Sequence, residues 1–373
     1  MSPRGSVAVI GAGPAGAFCA ERLARAGFAV TIYDPSHPRE KPCGGGVTPG
    51  AFEKYPELAS IRSSGRPASV VRMRGPRDRV LTVPLARPIE IFSRRIFDSL
   101  LLDRARKAGA ELRVERARQI SADAAGARVD SARYDFVVGA DGAASIVRRS
   151  LLGAKPGGPA SYATAGFHVE GLDEREIYIE FVREWAGYLW VFPRPGHCSV
   201  GVAAPIGAES GAKLSARVVE MLAKRYPGSL ELAREPYAAS IPVGGGPVAG
   251  ARFALIGDAA NANDAISGEG IQHALDSAAL LADALDEAGA DAAPALYTER
   301  WSEGAGGELE ACARLARRLY RPRTVDFSLA LAARSRRARL LMADMLMVAQ
   351  PYTGLGRRLL RDALRPPGSR SDG

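Results

Sequence analysis

Three glycines near the N-terminus have the spacing of a phosphate-binding turn. The stretch GAGPAG places Gly11, Gly13 and Gly16 between a short apolar run and an alanine-rich segment. In such a turn the first glycine permits the tight bend, the second lets a pyrophosphate approach the backbone, and the third lets helix and strand pack closely. Asp34 follows the next apolar run, where a carboxylate can accept a hydrogen bond from a ribose hydroxyl. The pattern predicts a dinucleotide site.

Two further carboxylate–glycine pairs follow apolar runs with the character of buried strands. VVGADG supplies Asp141 and Gly142, and ALIGDAA supplies Gly257 and Asp258. In open α/β sheets the ligand binds beyond the carboxyl ends of the strands, where both pairs would lie. One Asp-Gly alone is better explained as a β-turn. Three such elements in order indicate a single nucleotide site.

A helical pattern begins at Ile271, after Gly268 and Gly270. FAD and NAD share the glycine fingerprint, so other residues must distinguish them. The positive end of a helix here could stabilise negative charge on the pyrimidine ring of a reduced flavin.

The stretch KPCGGG, residues 41–46, could be a phosphate cradle, a metal-binding loop, a plain turn or a loop against a flat cofactor. No Gly-Lys-Ser/Thr run makes it a P-loop. The four histidines show no ligand spacing with Cys43, so no metal site is predicted. Glycines without side chains would let this backbone lie close to a flat ring, with Cys43 as the one reactive group.

The elements around these motifs alternate as in an α/β fold. Residues 6–11 and 29–34 have the character of strands and residues 14–27 that of a helix, which predicts a parallel βαβ unit. Between residues 161 and 204, strand-like runs separated by turns predict an inserted antiparallel sheet. From residue 268 onward the pattern is mostly helical.

Together these motifs resemble those of FAD-dependent oxidoreductases with the para-hydroxybenzoate hydroxylase fold, which carry the glycine fingerprint, a DG motif and a GD motif in this order. The chain is most similar to the geranylgeranyl reductase family. The shared features are KPCGGG, the Arg-x-x-Phe-Asp run at residues 94–98, GYLWVFPR at 187–194 and GDAA followed by SGEGI. The resemblance covers about residues 5–290. It departs at Asp264-Ala265, where the family usually has Asn-Pro.

The resemblance implies an α/β fold: a Rossmann-like FAD-binding domain, an inserted antiparallel β-sheet substrate domain and a helical C-terminal region. We assign residues 1–160 and 236–290 to the FAD-binding domain, with part of 65–95 in the substrate sheet. Residues 161–235 form the substrate-binding insert. Residues 291–373 form the helical, basic C-terminal region.

The resemblance also implies a reductase that adds hydrogen across isolated prenyl double bonds, with a hydride from N5 of reduced FAD. Cys43 would be a proton donor or would orient the substrate, with a small buried side chain as the alternative. Tyr188 and Trp190 share one strand face with Phe192 and would line the lipid cavity, with ordinary sheet core as the alternative. These three residues, Cys43, Tyr188 and Trp190, are our candidate catalytic set. The residues expected at FAD are Gly11, Gly13, Ala15, Gly16, Asp34, Lys41, Gly44, Gly45, Gly46, Arg94, Asp141, Gly142, Gly257, Asp258, Gly268, Gly270 and Ile271.

The net charge of +9 is concentrated at the C-terminus. Residues 311–373 hold 14 Arg, no Lys and 4 Asp, a balance of +10, so the first 310 residues sum to −1. Arginines that interleave with apolar residues at helical spacing suit a membrane-surface helix. A helical cap with a solvated basic face is the slightly simpler explanation. No motif supports nucleic-acid binding.

Cellular location follows from the cysteines and the apolar runs. Four dispersed cysteines without a CxxC pair indicate reduced thiols, and neither a disulfide framework nor a zinc site. The N-terminus shows no signal peptide pattern, and no apolar run is long enough to span a bilayer. We therefore expect a cytoplasmic protein, peripheral at the membrane if the basic region binds lipid.

Three functions stay open: a reductase of a prenyl lipid or other hydrophobic isoprenoid, a flavin monooxygenase of an aromatic or secondary metabolite, and a flavoprotein maturation factor acting on a partner protein. The Cys-Gly-Gly-Gly loop, which aromatic hydroxylases lack, favours reduction. No second nucleotide unit is visible in the sequence. The electron donor is therefore NAD(P)H at a shallow site or a ferredoxin-like protein.

Overall fold

The computed structural model describes residues 3–153, 161–234, 236–349 and 351–355. Within these residues the chain forms two large β-sheets, a small three-stranded sheet and nine α-helices. The arrangement is the mixed α/β fold predicted from the sequence, with a helical C-terminal region.

A six-stranded sheet carries the nucleotide motifs. Its order is β16-β17-β10-β1-β2-β6, and every pair except β16–β17 is parallel. All four residues of the central β10 are buried, as expected for a parallel strand covered on both faces. The predicted βαβ unit is confirmed, with a helix between the first two strands. The strands are β1 Ser6–Ile10, β2 Ala29–Tyr33, β6 Glu111–Arg113, β10 Phe136–Gly139, β16 Ala249–Gly250 and β17 Phe253–Leu255.

An eight-stranded sheet forms the second layer, in the order β15-β11-β14-β13-β12-β4-β5-β3. The predicted antiparallel arrangement is right for every pair except β12–β4, which is parallel. There the inserted strands join an earlier hairpin whose direction is already set. The strands are β3 Gly46–Val47, β4 Arg66–Arg74, β5 Val80–Ile91, β11 Tyr162–Glu170, β12 Ile177–Phe181, β13 Tyr188–Arg194, β14 His197–Pro205 and β15 Tyr237–Ile241.

The small sheet and the first five helices surround these layers. The three-stranded sheet contains β7 Ile120–Asp123, β8 Gly126–Val129 and β9 Ala132–Tyr134. The first helix begins with a proline, which suits the first helical position because its missing N–H needs no partner there. These helices are α1 Pro14–Arg25, α2 Pro49–Lys54, α3 Arg94–Lys107, α4 Ile146–Leu152 and α5 Gly211–Arg225.

Four helices follow the last strand, as predicted from residue 268 onward. They are α6 Ile271–Glu303, interrupted at Gly289, α7 Ala305–Leu319, α8 Pro322–Arg334 and α9 Arg336–Leu346. Apolar residues of α8 and α9, including Val325, Leu329 and Ala343, pack in one cluster with the buried side chains of β4 and β5. These helices therefore lie on the eight-stranded sheet.

A buried arginine at the end of β13 ties the cysteine–glycine loop to this sheet. Arg194 is 1% exposed, and its Nη1 donates to Glu40 Oε1 at 2.7 Å. Its Nε donates to the Gly44 carbonyl at 3.3 Å and its Nη2 to the Cys43 carbonyl. Burial alone would raise the pKa of Glu40, but Arg194 and the hydrogen bonds from Ser93 and Arg94 outweigh it and lower that pKa.

Replacing Arg194 with Gln should destabilise the protein by about 3 kcal/mol, because it leaves the Glu40 carboxylate and two loop carbonyls without their cation. Since the pKa of Glu40 is lowered by folding, its contribution exists above its unfolded value and is lost as the pH falls through the folded value. The difference from wild type, measured by urea unfolding, should therefore shrink in acid. Arg217→Gln, which removes a half-exposed partner of Glu184, is the control and should change little. Equal stability of Arg194→Gln and wild type at neutral pH would contradict this role.

Candidate functional site

The loops that follow β1, β10 and β17 border one cavity, as the carboxyl ends of strands in an open sheet should. The cavity also reaches the cysteine–glycine loop and the face of the eight-stranded sheet. The predicted residues that line it are Gly13, Ala15, Lys41, Cys43, Gly44, Gly45, Gly46, Arg94, Gly142, Tyr188, Trp190, Gly257, Asp258, Gly268, Gly270 and Ile271. Four predicted residues, Gly11, Gly16, Asp34 and Asp141, lie behind this lining.

The three fingerprint glycines have different surroundings. Gly11 has φ +101°, and a Cβ there would lie 2.4 Å from the Ala140 carbonyl oxygen. A Cβ on Gly16 would lie 1.9 Å from the Gly11 carbonyl oxygen. These two positions therefore require glycine for the close packing of strand, turn and helix. A Cβ on Gly13 would meet nothing within 4 Å, which leaves open space beside the start of α1.

Asp34 fixes the turn from behind. One carboxylate oxygen accepts the Ala12 N–H at 2.8 Å, and the other accepts the Ser36 N–H at 2.8 Å. Burial alone would raise its pKa, but the hydrogen bonds from Ser36 and Ala12 prevail and lower it. Asp34 is therefore ionised and holds the glycine turn next to β2.

Asp141 and Gly142 divide their roles between the helix and the cavity. Asp141 Oδ2 accepts the Ile146 N–H at 2.6 Å, at the start of α4. Its Oδ1 is buried and has no hydrogen-bond partner among the described residues, and burial raises its pKa. Gly142 has φ +79°, and a Cβ there would meet nothing within 4 Å. Gly13 and Gly142 thus leave open space at this edge of the cavity, because neither has a side chain to fill it.

A salt bridge joins the cysteine loop to the GD motif. Lys41 Nζ lies 3.1 Å from Asp258 Oδ2, and Asn263 Nδ2 donates to Asp258 Oδ1 at 3.1 Å. Burial would raise the pKa of Asp258, but Lys41 and the Asn263 hydrogen bond outweigh it and lower it. The pair places a cation and a carboxylate at the cavity wall between the two sequence motifs.

The loop before α6 and the first residue of that helix border the cavity. Gly270 precedes the helix, and a Cβ there would lie 2.1 Å from Asn263 Oδ1. Gly268 has φ +73°, and a Cβ would lie 2.3 Å from the Tyr188 hydroxyl. Both glycines are therefore needed for the close approach of this loop to its neighbours. The positive end of α6 suits an anionic ring in the cavity.

The glycines of the cysteine loop pack against the protein on one side and border the cavity on the other. Gly45 has φ +84°, and a Cβ there would lie 2.3 Å from the Phe92 carbonyl oxygen. A Cβ on Gly44 would lie 3.1 Å from the Phe192 ring. The Cys43 sulfur accepts the Gly45 N–H at 3.3 Å, and its carbonyl accepts the Ser199 hydroxyl at 2.7 Å. The loop is thus held on both sides of Cys43.

Arg94 is buried at the start of α3 and is not a solvent-exposed charge. Its guanidinium forms a two-point ion pair with Asp98, at 2.7 Å and 2.9 Å. Arg94 is 3% exposed and Asp98 is fully buried. Burial opposes the charge, but Asp98 and the nearby Cys43 raise the pKa of Arg94, so the cation persists at the cavity wall.

Three aromatic residues of β13 form an apolar wall. Tyr188, Trp190 and Phe192 alternate along the strand and all border the cavity. Trp190 lies over Gly201 of β14, where a Cβ would come within 2.4 Å of the indole ring. Tyr188 stacks on Tyr320 of the C-terminal region, with ring centroids 6.1 Å apart. The predicted common face is confirmed.

Asp264 stands where the family usually has Asn, and its side chain connects the loop before α6 to the C-terminal region. Asp264 is fully buried, and its Oδ1 accepts the Ile266 and Ser267 N–H groups at 2.7 and 2.8 Å. The Cys312 thiol also donates to Oδ1, and the Tyr352 hydroxyl donates to Oδ2. This carboxylate therefore fixes both the loop and the helical region that covers it.

Sequence reasoning missed Arg194, Glu40 and Ser199, although Arg194 ends the GYLWVFPR stretch and Glu40 precedes KPCGGG. Their roles depend on contacts across more than 150 positions of sequence, which no local pattern shows. It also passed over Glu269 within SGEGI, which borders the cavity. Among the residues that the structure describes, no group of three or more His, Cys, Asp and Glu side chains is placed to hold a metal ion.

Comparisons of sequence agree with this geometry. Residues 4–173 match a FAD binding domain, which identifies FAD as the cofactor. The digeranylgeranylglycerophospholipid reductase of Methanosarcina acetivorans is 30% identical over 348 residues, covering 82% of this chain and 82% of that protein. The menaquinone reductase of Mycolicibacterium smegmatis is 28% identical and covers 90% of this chain and 89% of that protein.

Comparison of structures gives the same fold. A geranylgeranyl bacteriochlorophyll reductase-like protein of Thermoplasma acidophilum superposes with a TM-score of 0.77 at 21% identity, over 96% of this chain and 98% of that one. The sequence match to the Methanosarcina enzyme over most of both chains decides the family. The chain is an FAD-dependent oxidoreductase and belongs to the geranylgeranyl reductase family.

Proposed function

We propose that this protein reduces isolated C=C bonds in the prenyl chain of a lipid or other isoprenoid. The observation that carries the proposal is the shared cavity, in which the FAD motifs face the aromatic wall of β13. The remaining lining from the eight-stranded sheet is largely apolar and includes Val71, Ile89, Ile177, Ile179 and Ile241. Such a surface suits a prenyl chain, which offers no hydrogen-bonding groups.

FAD supplies the hydride when it is bound and reduced, and the chain's own residues position the alkene and exclude water. The aromatic wall holds the chain by apolar contact, and the stacked Tyr188 and Tyr320 close one side of it. Cys43 borders the same cavity on a loop that Arg194 holds in place. Its thiol is the proposed donor of the proton that completes the reduction.

The proposed partner of the C-terminal region is an anionic phospholipid bilayer. Across the described residues, no helix combines the length and apolar character needed to cross a membrane. On α8, Arg323, Phe327, Leu331 and Arg334 recur at helical spacing and are exposed, and Phe327 is 68% exposed. Arg336 and Leu340 continue this pattern on α9. We call these six residues the arginine–leucine surface.

Charge and position support a bilayer over a merely solvated face. Residues 321–340 contain six arginines and one acid, Asp326, whose side chain is 14% exposed and pairs with Arg77. Each arginine near an anionic surface contributes about 1 kcal/mol, and the apolar side chains can enter the interface. The same α9 that begins at this surface reaches the cavity through Leu346. A lipid-borne substrate would therefore meet the cavity close to the bilayer.

Anaerobic mixing of the reduced holoprotein with a geranylgeranyl lipid should reoxidise the flavin and give a product heavier by two hydrogen atoms per bond. Flavin absorbance and product mass are measured together. Reoxidation that waits for oxygen, with a product heavier by one oxygen atom, would establish a monooxygenase instead. If neither a reduced nor an oxygenated lipid product forms, the result would favour a maturation role on a partner protein. Prior reduction with NADPH or with a reduced ferredoxin identifies the electron donor.

Cys43→Ala should keep FAD bound and slow reoxidation by the alkene by a factor of about 100 or more, the usual contribution of a general acid. Rapid-mixing absorbance measures the rate. Cys43→Ser should recover part of it, because a hydroxyl retains a proton and can still accept the Gly45 N–H. An unchanged rate in Cys43→Ala would make the cysteine structural.

Replacing Phe327 and Leu331 together with Ser should abolish flotation with vesicles rich in phosphatidylserine or phosphatidylglycerol. The exposure of both side chains makes a loss of folding stability small. The matched control replaces Ile206 and Leu232, which are 60% and 45% exposed elsewhere, and should float as wild type does. Wild-type binding should weaken with salt and vanish on neutral vesicles. Wild-type protein that stays unbound at low salt would refute the bilayer contact.

A further inference from the structure

A buried carboxyl stands immediately before α6, beside the cavity. Glu269 precedes the helix, and its side chain is 7% exposed. Its Oε1 accepts the Gln272 N–H at 2.8 Å. Its Oε2 is buried and has no hydrogen-bond partner among the described residues. The reductase chemistry proposed above uses Cys43 and leaves this carboxyl without a role.

An imidazole faces the free oxygen from the next turn. His273 Nε2 lies 4.0 Å from Glu269 Oε2, and the His273 side chain is 8% exposed. Neither ring nitrogen has a hydrogen-bond partner within the described part of the chain. Two titratable groups that could each hold a proton are thus buried and adjacent, and Glu269 Oε2 and both His273 ring nitrogens have no hydrogen-bond partner among the described residues, which is costly if either group is charged.

The charged groups around this pair come from three elements. Asp264 lies on the loop before α6, Asp276 lies one turn further along α6, and Lys54 approaches from α2. Asp276 is already paired with Lys54 and with the Tyr55 hydroxyl. Burial and the two aspartates raise the pKa of Glu269 to about 8, while burial lowers the pKa of His273. Near neutral pH the pair therefore carries little charge.

We propose that in alkaline solution Glu269, with His273 beside it, takes up one proton when the cofactor in the cavity is reduced and releases it on reoxidation. Two electrons arrive from the nicotinamide or ferredoxin-like donor, one proton goes to the flavin, and a second proton from solvent goes to the Glu269 carboxylate. A neutral Glu269 leaves the positive end of α6 free to stabilise the negative charge of reduction, whereas an ionised one opposes it. When the hydride leaves for one alkene carbon, Cys43 donates a proton to the other, and the proton that Glu269 releases to solvent matches the one that the Cys43 thiolate regains, so atoms and charge balance. The proposal rests on FAD as the cofactor and not on the identity of the alkene.

The test is the midpoint potential of the bound flavin as a function of pH, which does not depend on turnover. A tenfold change in a two-electron equilibrium is 29.6 mV, so each proton taken up adds about 30 mV per pH unit to the slope. Wild-type holoprotein should therefore approach about 59 mV per pH unit on the alkaline side of neutrality, where two protons accompany two electrons. Glu269→Gln should show about 30 mV per pH unit there, because only the flavin takes up a proton. Glu299→Gln, an exposed position on the same helix, should match wild type.

A second measurement separates this role from a structural one. A carboxyl whose pKa is raised by folding stabilises the protein fully below its unfolded value of 4.5, and this is lost as the pH rises through about 8. Between pH 4.5 and about 8, the unfolding temperature of wild type should therefore fall, and that of Glu269→Gln should not show this fall. A wild-type potential with the one-proton slope throughout the alkaline range would overturn the proposal without any variant. If the prenyl lipid is not reduced but the potential still shows the two-proton slope, the proposed substrate is wrong and the proposed role of Glu269 stands.

Discussion

The buried ion pair between Arg194 and Glu40 is the interaction on which the site depends. The cysteine–glycine loop has three glycines and therefore little side-chain surface with which to pack. Arg194 supplies what the glycines lack, because one planar cation binds two loop carbonyls and the Glu40 carboxylate at once. The cost of burying the guanidinium is offset by these bonds. These bonds fix the loop to β13, the strand that also carries the aromatic wall.

This ion pair, together with the Lys41–Asp258 salt bridge and the hydrogen bond from Ser199 to Cys43, sets how the two halves of the cavity lie relative to each other. One half consists of backbone amides, glycines and the Lys41–Asp258 pair, which suit the phosphates and polar ring edges of FAD. The other half is aromatic and aliphatic and suits a hydrocarbon chain. Tyr188 and Gly268 touch across the junction, where no side chain larger than hydrogen would fit on the loop. A polar cofactor and an apolar ligand of the proposed kind would therefore meet in one cavity without an intervening layer of protein.

The C-terminal helices complete the site through one carboxylate. The Asp264 carboxyl accepts hydrogen bonds from backbone N–H groups of the loop before α6. It also accepts hydrogen bonds from the Cys312 thiol and the Tyr352 hydroxyl in the C-terminal region. Because Asp264 is fully buried, losing either partner would remove a hydrogen bond that water cannot readily replace, which is costly. The helical region is thereby coupled to the loop at the flavin site. Its exposed arginine–leucine surface lies on the helices that follow.

The sequence by itself determined the motifs and their order, because each depends on residues within a few positions of one another. The glycine spacing, the alternation of Tyr188, Trp190 and Phe192, and the strand–helix pattern are local properties of the backbone. Only the tertiary structure decided that Arg194 binds a loop about 150 residues earlier, that β12 pairs in parallel with β4, and that Glu269 Oε2 faces His273 with no hydrogen-bond partner among the described residues. The reason is physical: burial, desolvation and ion pairing depend on which distant segments fold together, and a linear pattern does not contain those distances.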